Sequence, residues 1–404
     1  MEGKLAYTIN PGKQRKMKDM YHIFRREFYT VFRDHAVITF FVFLCLGYPI
    51  IYTYIYSGEV VRKVPVAVID HSQSFLSREF LRMWGATPGV DIVAYCSNLE
   101  EARVLMYKKN IYGILDIPED FSKDIQRGEQ AHVALFCNMG ALLNYKALAQ
   151  AASDVSIQMG KQIQVEGMDY ASRKQQEITA SPVKVTEVKL FNPQSGFASF
   201  IMPAVLILVI QQSLLLGVGT LAGTARDRSR YHRMVPMNRS YRRAWCVVVG
   251  KACLYMPIYF VMAFWVLFIV PRIFNLTQIA PKLELMLFLF PFLLACCFFA
   301  IAGSFFSKER EQPFLLFVFT SVPLMFISGI SWPREGIASY WIAFSKIFPS
   351  THGIDGFVKI NNMGATLHEV LPEYISLWIL AGIYFILACL LYRNEINKMM
   401  NNKA

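Results

Sequence analysis

The sequence predicts a polytopic α-helical membrane protein with a soluble α/β domain inserted after the first transmembrane helix. Three observations lead to this fold class. Hydrophobic residues make up 54% of the 404 residues and charged residues only 17%, whereas soluble domains average about 25% charged. Six apolar runs approach the length of about 20 residues that crosses a bilayer. The stretch between the first two runs has the mixed polarity of a soluble domain.

The apolar runs carry no charged residue in their middles. We predict six transmembrane helices, at Ala36–Tyr56, Phe197–Leu221, Trp245–Val270, Leu285–Gly303, Pro313–Ser331 and Ile375–Tyr392. Charged residues inside a span mark ion or proton pathways, so their absence argues against a carrier driven by protons or sodium. The first 35 residues lack the features of a secretory signal, and we expect the first run to stay in the mature protein.

Basic residues orient these spans. The N-terminal 35 residues hold eight lysines and arginines, and the loop at residues 221–243 holds seven arginines. The loop between the third and fourth spans has only Arg272 and Lys282. Because short cytoplasmic loops are enriched in Lys and Arg, we predict that both termini, including a tail at residues 393–404, are cytoplasmic. These loops account for the net charge of +12, so no nucleic-acid partner is expected.

Residues 57–196 are predicted to form an extracytoplasmic α/β domain. Apolar strands at Val64–Asp70, Val90–Cys96, Tyr112–Pro118 and Ala131–Cys137 alternate with helical segments. This alternation is typical of an open, mixed sheet.

Only two of the eight cysteines, Cys96 and Cys137, fall in this domain. Both end predicted strands, so one interpretation is a disulfide between them, which an oxidising compartment permits. The alternative is a pair of buried thiols. No Cys/His spacing typical of zinc occurs, and no metal site is expected.

An amphipathic helix is predicted within residues 1–35, directly before the first span. From Met17 to Asp34 apolar residues recur at helical spacing, and basic residues occupy the opposite face. The residues that represent the two faces are Phe24, Phe28, Arg25 and Arg26. Such a helix lies in the headgroup layer, with membrane lipid as its partner and its cations near anionic headgroups. The alternative is a helix packed on a soluble partner.

The chain carries no recognisable catalytic motif. It lacks the phosphate-binding GxxxxGK[ST] loop, the GxSxG nucleophile elbow and the HExxH zinc motif. Its seven histidines are scattered. We therefore expect that the chain is not an enzyme and binds no cofactor of its own.

Several short motifs, in order along the chain, resemble a known family. The external domain has a glycine-containing strand that ends in Ile-Pro, followed by Phe-Ser and a glycine, namely Gly113, Ile117, Pro118, Phe121, Ser122 and Gly128. Asn192-Pro193 leads into the second span, and Phe326–Phe357 contains Ser-Gly-x-x-x-Pro, an amphipathic stretch and Pro-x-Thr. Over nearly its whole length the chain resembles the permease subunits of type-2 ABC exporters, in the branch with a large external domain.

The resemblance implies a role and a set of partners. Such permeases work as dimers, with a second copy or a paralogue, in the inner membrane. A separate cytoplasmic ATP-binding subunit binds ATP and magnesium. The substrate implied is hydrophobic or amphipathic: a drug, a lipid or an envelope precursor. Branches with this external domain often work with a periplasmic adaptor.

The resemblance also implies that the loop at residues 221–243 docks on the ATPase. The residues assigned to this contact are Arg226, Asp227, Arg228, Arg230, Tyr231 and Arg233. The family usually has glutamates here, whereas this chain has arginines. The arginines either contact the ATPase through complementary charge or only orient the spans, and we favour a docking role as well.

A further implication is that residues 332–359 dip into the membrane from outside, between the fifth and sixth spans. The segment carries aromatic residues that prefer the membrane interface, and prolines bracket its first part. The residues assigned to it are Trp332, Pro333, Trp341, Phe344 and Pro349. The alternative is a surface helix that never enters the membrane.

Two other classes of function fit the topology. A non-transporting envelope protein or surface receptor, such as a phage-adsorption factor, would need no ATPase. A membrane enzyme acting on lipid would need titratable residues clustered near the span ends, and the sequence shows no such cluster. Neighbouring genes for an ATPase and an adaptor would favour the exporter.

Overall fold

The computed structural model describes residues 11–58, 60–166, 190–192, 196–227 and 243–401. The chain divides into a unit of Met1–Glu59 with Lys189–Ala404 and a unit of Val60–Val188. We call the first the membrane unit and the second the inserted unit.

The elements are numbered in chain order. The membrane unit opens with α1 (Pro11–Arg33) and α2 (His35–Ile55). The inserted unit contributes β1 (Val64–Asp70), α3 (Phe75–Gly85), β2 (Val90–Tyr95), α4 (Leu99–Tyr107), β3 (Gly113–Ile117), α5 (Phe121–Arg127), β4 (Ala134–Cys137) and α6 (Leu142–Glu166). The membrane unit continues with α7 (Phe197–Asp227), α8 (Ala244–Ile273), α9 (Lys282–Gly303), α10 (Gln312–Ile327), α11 (Ser339–Ser345), α12 (Pro349–Met363) and α13 (Leu371–Asn401).

Five helices in the described chain, α2, α7, α8, α9 and α13, are long and apolar enough to cross a membrane. The fifth apolar run forms α10, which has 16 residues and is about 24 Å long at about 1.5 Å per residue. The hydrocarbon core of a bilayer is about 30 Å thick. Gly329, with a φ of +89°, follows the end of α10. The described chain therefore has one helix of spanning length fewer than the sequence predicts.

The helix α7 lies at the centre of the membrane unit. Its apolar stretch is buried almost all round, against α2, α9, α10 and α12, as expected for a helix that is apolar on every side. At Gly217 a Cβ atom would lie 1.6 Å from the ring of Phe41. The glycine therefore lets α2 pack closely on α7.

The inserted unit is built on one mixed sheet with the strand order β2-β1-β3-β4. The strand β1 pairs in parallel with β2 and β3, and β4 runs antiparallel to β3. One apolar cluster, with Trp84 of α3 and Leu148 of α6, and a second, with Ala102 of α4 and Ile114 of β3, make up its core. The predicted alternation of strands and helices in a mixed sheet is confirmed.

Polar side chains and a glycine cap helix ends of the inserted unit. Ser74 caps α3 in a reciprocal pair with Ser77, and the side chain of Asn98 accepts from the Glu101 N–H at 2.8 Å. Gly128, with a φ of +74°, closes α5. These contacts satisfy backbone groups that a helix end leaves unpaired.

The disulfide between Cys96 and Cys137 is not formed, because both are free thiols. Cys96 follows β2 and Cys137 ends β4, and these are the two edge strands of the sheet. Neighbouring strands lie about 4.8 Å apart, so three strand spacings exceed the Cα separation of about 7 Å that a disulfide tolerates. The sequence shows that both cysteines end strands, but it does not show that they lie at opposite edges.

We expect both thiols to be fully alkylated without reductant once the chain is denatured. Burial raises the pKa of the Cys96 and Cys137 thiols, and the charge of Glu101 raises that of Cys96 further. Because the thiolate is the nucleophile, labelling of the folded chain at neutral pH should be slow. Mass spectrometry of the peptides that contain Cys96 and Cys137 measures the extent of alkylation in the denatured chain and in the folded chain. A non-reduced peptide pair joining Cys96 to Cys137 would refute the assigned strand order.

Candidate coupling region of the membrane unit

The loop predicted to contact an ATPase, residues 221–243, is described at both ends. The helix α7 runs to Asp227, and α8 begins at Ala244. The predicted contact residues outside the described chain are Arg228, Arg230, Tyr231 and Arg233. The described ends show which contacts fix the end of α7 and the start of α8.

Arg226, the first predicted contact residue, binds its own chain. Its Nη1 donates to the carbonyl oxygens of Ser304 at 3.3 Å, Phe305 at 2.8 Å and Ser307 at 2.5 Å. The guanidinium also lies over the Phe305 ring, 5.4 Å from its centroid. These carbonyls lie just beyond α9, where a helix end leaves acceptors unpaired and favours a cation. Arg226 thus closes the end of α9, a role that the sequence analysis missed.

Replacing Arg226 by methionine should therefore lower the unfolding temperature of the purified chain. Each hydrogen bond from a charged group contributes about 1.5–3 kcal/mol, and methionine keeps the apolar part of the side chain. The matched control is Arg243→Met, which removes the same charge from an exposed residue at the other end of the loop. Equal unfolding temperatures for the two variants would show that the hydrogen bonds of Arg226 do not stabilise the end of α9.

Two glycines on one face of α7 bring the link between α9 and α10 close. A Cβ atom at Gly223 would lie 2.2 Å from the carbonyl oxygen of Glu309, and one at Gly219 would lie 2.8 Å from Pro313. The two glycines are four residues apart, the spacing that lets membrane helices pack at short range. The sequence signal for this close approach is the Gly-x-x-x-Gly of residues 219–223.

The link also contacts the junction of α1 and α2. Arg310 donates to Asp34 Oδ1 at 2.9 Å, and the same oxygen accepts from the Ala36 N–H at 3.1 Å. Asp34 therefore caps α2 and at the same time forms an ion pair with the α9–α10 link.

The amphipathic helix α1 packs on the first turns of α8. Gly250 makes this possible, since a Cβ atom there would lie 2.9 Å from Ile23. One turn further along α1, Glu27 Oε1 accepts from Lys251 Nζ at 2.7 Å and from the hydroxyl of Tyr255. The Lys251 and Glu27 side chains are only 11% and 13% exposed. A buried ion pair thus joins α1 to α8.

The last helix reaches the same region through aromatic contacts. Tyr392 of α13 is buried, and its ring meets the Phe305 ring edge-on, with centroids 4.8 Å apart. Phe305 is also the ring that lies beneath Arg226. Hence α7, α9 and α13 meet at one aromatic side chain.

We call these charged residues the junction cluster: Glu27, Asp34, Arg226, Lys251 and Arg310. They lie where α7 and α9 end and where α2, α8 and α10 begin, which is one end of the membrane unit. Of the five, only Arg226 was predicted as a functional residue. The sequence signals for the ion pairs were Lys251, near the start of the third apolar run, and Glu27 and Asp34, just before the first.

The predicted residues of the interfacial helix lie on different sides of α1. Phe24 is partly buried against the bundle, whereas Arg25 and Phe28 are exposed. Phe28 belongs to an exposed aromatic stripe, which consists of Tyr21, Phe28, Tyr29 and Phe32. Arg26 is partly buried. One face of α1 therefore packs on its own chain, and contact of the other face with lipid stays a prediction.

The segment predicted to be re-entrant forms two helices, α11 and α12. Among its predicted residues the exposed ones are Trp332, Pro333, Trp341 and Phe344. Pro349 is buried at the start of α12, and the next N–H, of Ser350, donates to Gln211 Oε1 at 2.6 Å. Much of α12 is buried in the bundle despite its polar residues. Entry of this segment into the membrane stays a prediction.

Within the described residues, no group of three or more His, Cys, Asp or Glu side chains could hold a metal ion. The junction cluster consists of ion pairs and hydrogen bonds that join helices. Its geometry suits a mechanical connection between the helices.

Comparison with known proteins gives the family. The sequence model described as ABC-2 family transporter protein matches residues 36–390. The chain is 22% identical, over an alignment of 418 residues, to the protein named inner membrane transport permease YhhJ from Escherichia coli (strain K12) and to its namesake from Shigella flexneri. Each alignment covers 95% of this chain and 100% of the relative. With a match over most of its length and five apolar helices of spanning length, this membrane protein belongs to the ABC-2 family of transporter proteins.

Proposed function

We propose that this chain is the permease subunit of an ATP-driven exporter in the inner membrane. A separate cytoplasmic subunit binds ATP and magnesium, and hydrolysis there drives transport through this chain. The substrate is hydrophobic or amphipathic: a drug, a lipid or an envelope precursor. Membership of the ABC-2 family supports the proposal, and the junction cluster is the observation that carries it.

The junction cluster supports a coupling role through its position. Arg226, in the last turn of α7 just before the loop to α8, binds the end of α9. Gly223 packs against the α9–α10 link, and Arg310 of that link binds Asp34 at the start of α2. A displacement of the loop by a docked ATPase would therefore act on α7, the α9–α10 link and α2 together.

The proposal includes a topology of six spans. In addition to the five helices of spanning length, α10 also crosses the membrane, as the fifth span in chain order. Residues beyond its two ends complete the crossing. Both termini and the loop at residues 221–243 are cytoplasmic, and the inserted unit is outside, where an adaptor would bind. The working form is a dimer with a second copy or a paralogue.

Cysteine labelling tests this topology. In a background without native cysteines, single cysteines replacing Lys123 and Ser240 should react oppositely with a membrane-impermeant thiol reagent in intact cells. Lys123 is exposed on α5 of the inserted unit, so its replacement should be labelled from outside. Labelling of both positions from outside would exclude the proposed orientation, which rests on the distribution of Lys and Arg.

A variant that leaves Arg226 unchanged tests whether the loop docks on the ATPase subunit. The triple variant Arg228→Ala/Arg230→Ala/Arg233→Ala should release the ATPase subunit at a lower salt concentration, because exposed charge pairs are screened beyond about 8 Å at physiological ionic strength. The matched control is Arg239→Ala/Arg242→Ala/Arg243→Ala, which removes the same charge from the same loop. Equal salt sensitivity of the two complexes would assign these arginines to orientation alone.

A further inference from the structure

A pocket with both polar and apolar walls lies where α8 ends and α9 begins. Its volume is about 360 Å³, and its wall includes Arg272, Asn275, Gln278, Lys282 and Asn361. Because α8 and α9 are both of spanning length, the pocket lies at the edge of the membrane, at the level of lipid headgroups. The proposed orientation makes this the outer leaflet.

The two cations of this pocket are notable for where they occur. Arg272 and Lys282 are the only lysine or arginine residues from 271 to 284, a short loop that we predict to be outside. Both are exposed, and within the described chain neither forms an ion pair. The nearest acid along the chain, Glu284, accepts from the Leu367 N–H at 2.7 Å. The pocket wall therefore carries two cations that form no ion pair within the described chain.

Other groups around the pocket suit an anion with polar neighbours. The helix α9 begins at Lys282, and no side chain caps its first N–H groups, which favour a negative charge. At the inner wall Asn361 is only 3% exposed, and its Oδ1 has no hydrogen-bond partner in the described chain. Ile273 and Leu283, at the two helix ends, are 55% and 72% exposed. Apolar surface thus lies beside the cationic pocket.

We propose that this pocket binds the phosphate group of a phospholipid. Arg272 and Lys282 contact the phosphate oxygens, and a donor group of the headgroup, a hydroxyl or an ammonium, lies towards the Asn361 wall. The acyl chains run along the exposed apolar side chains of Ile273 and Leu283. The site does not depend on whether the chain exports anything, and it holds for a membrane-embedded ABC-2 protein of any substrate.

Native mass spectrometry of the full-length chain in detergent tests the proposal. The probe is phosphatidylglycerol, compared with a diacylglycerol of the same acyl chains and with inorganic phosphate. The variant Arg272→Gln/Lys282→Gln removes both charges. The control Lys346→Gln/Lys398→Gln removes two charges from exposed residues outside the pocket.

We expect the pocket variant to bind phosphatidylglycerol at least about tenfold more weakly, because it lacks both cations that donate charge-assisted hydrogen bonds to the phosphate. The control should bind as the unaltered chain does, and the diacylglycerol should bind weakly to all forms. Equal binding by the two variants, or equal retention of both lipids, would overturn the proposal. If inorganic phosphate saturates the pocket and no phosphatidylglycerol is retained, the pocket binds free phosphate, and the lipid proposal is overturned.

A second measurement needs no variant. Phosphatidylglycerol with a photoreactive headgroup, incorporated in nanodiscs with the unaltered chain, should crosslink to peptides within residues 268–285 or to the peptide containing Asn361. Crosslinks confined to other peptides would contradict the site even if the pocket variant failed to fold.

Discussion

Replacing Lys251 by methionine should destabilise the membrane unit by about 3–5 kcal/mol, the cost of breaking a buried ion pair. Lys251 Nζ lies 2.7 Å from Glu27 Oε1, and both side chains are almost fully buried. Methionine would leave the Glu27 carboxylate in this environment, where the hydroxyl of Tyr255 still donates to it. We expect α1 to detach from α8, because the ion pair joins them.

The unfolding temperature of the purified chain in detergent measures this effect. The matched control is Arg25→Met, which removes an exposed cation from the same helix that carries Glu27. The double variant Glu27→Gln/Lys251→Met should lose less stability than Lys251→Met alone, because no charge remains buried. A Lys251→Met chain as stable as the Arg25→Met chain would refute the role of this ion pair.

The change Gly223→Ala should have a comparably large effect although it adds a single carbon atom. The new Cβ would lie 2.2 Å from the carbonyl oxygen and 2.7 Å from the carbonyl carbon of Glu309. These are backbone atoms, which cannot rotate away as a side chain can, so the α9–α10 link must shift as a whole. Overpacking of this kind costs about 1–3 kcal/mol or more, and here it would also disturb the link that carries Arg310.

The control for this change lies in the last helix. Gly382 of α13 has no heavy atom within 4 Å of a Cβ built on it, so Gly382→Ala should keep or raise stability, since alanine favours a helix by about 1 kcal/mol over glycine. The yield of monodisperse protein and its unfolding temperature compare the two variants. A normal yield and unfolding temperature for Gly223→Ala would disprove the close contact.

Much of the fold follows from local sequence patterns. The apolar runs, the strands of the inserted unit and the caps at Ser74, Asn98 and Gly128 are local signals, and the structure contains them. The length of α10 was overestimated, because composition identified the apolar run but not the helix end before Gly329. The ends of a run depend on single backbone conformations that hydropathy does not register.

The candidate site could be predicted only in part, because its contacts join distant parts of the chain. Arg226 was assigned to the ATPase contact by family resemblance and by its charge, and the sequence did not show that its hydrogen bonds go to residues almost 80 positions away. Glu27 and Lys251 are 224 residues apart, and no local pattern pairs them. The sequence left open whether Cys96 and Cys137 form a disulfide for the same reason, since strand order is a property of the whole sheet.

Purification of the intact complex from native membranes, through a tag on this chain, tests the central claim most directly. Its proteins would be identified by mass spectrometry, and its ATP hydrolysis compared with that of the chain purified alone. We predict an ATP-binding subunit in a fixed ratio to this chain and magnesium-dependent hydrolysis by the complex. The chain alone should hydrolyse no ATP, because it has no phosphate-binding loop. A preparation of folded chain that contains no ATP-binding protein and shows no hydrolysis would contradict the exporter and favour an envelope protein that transports nothing.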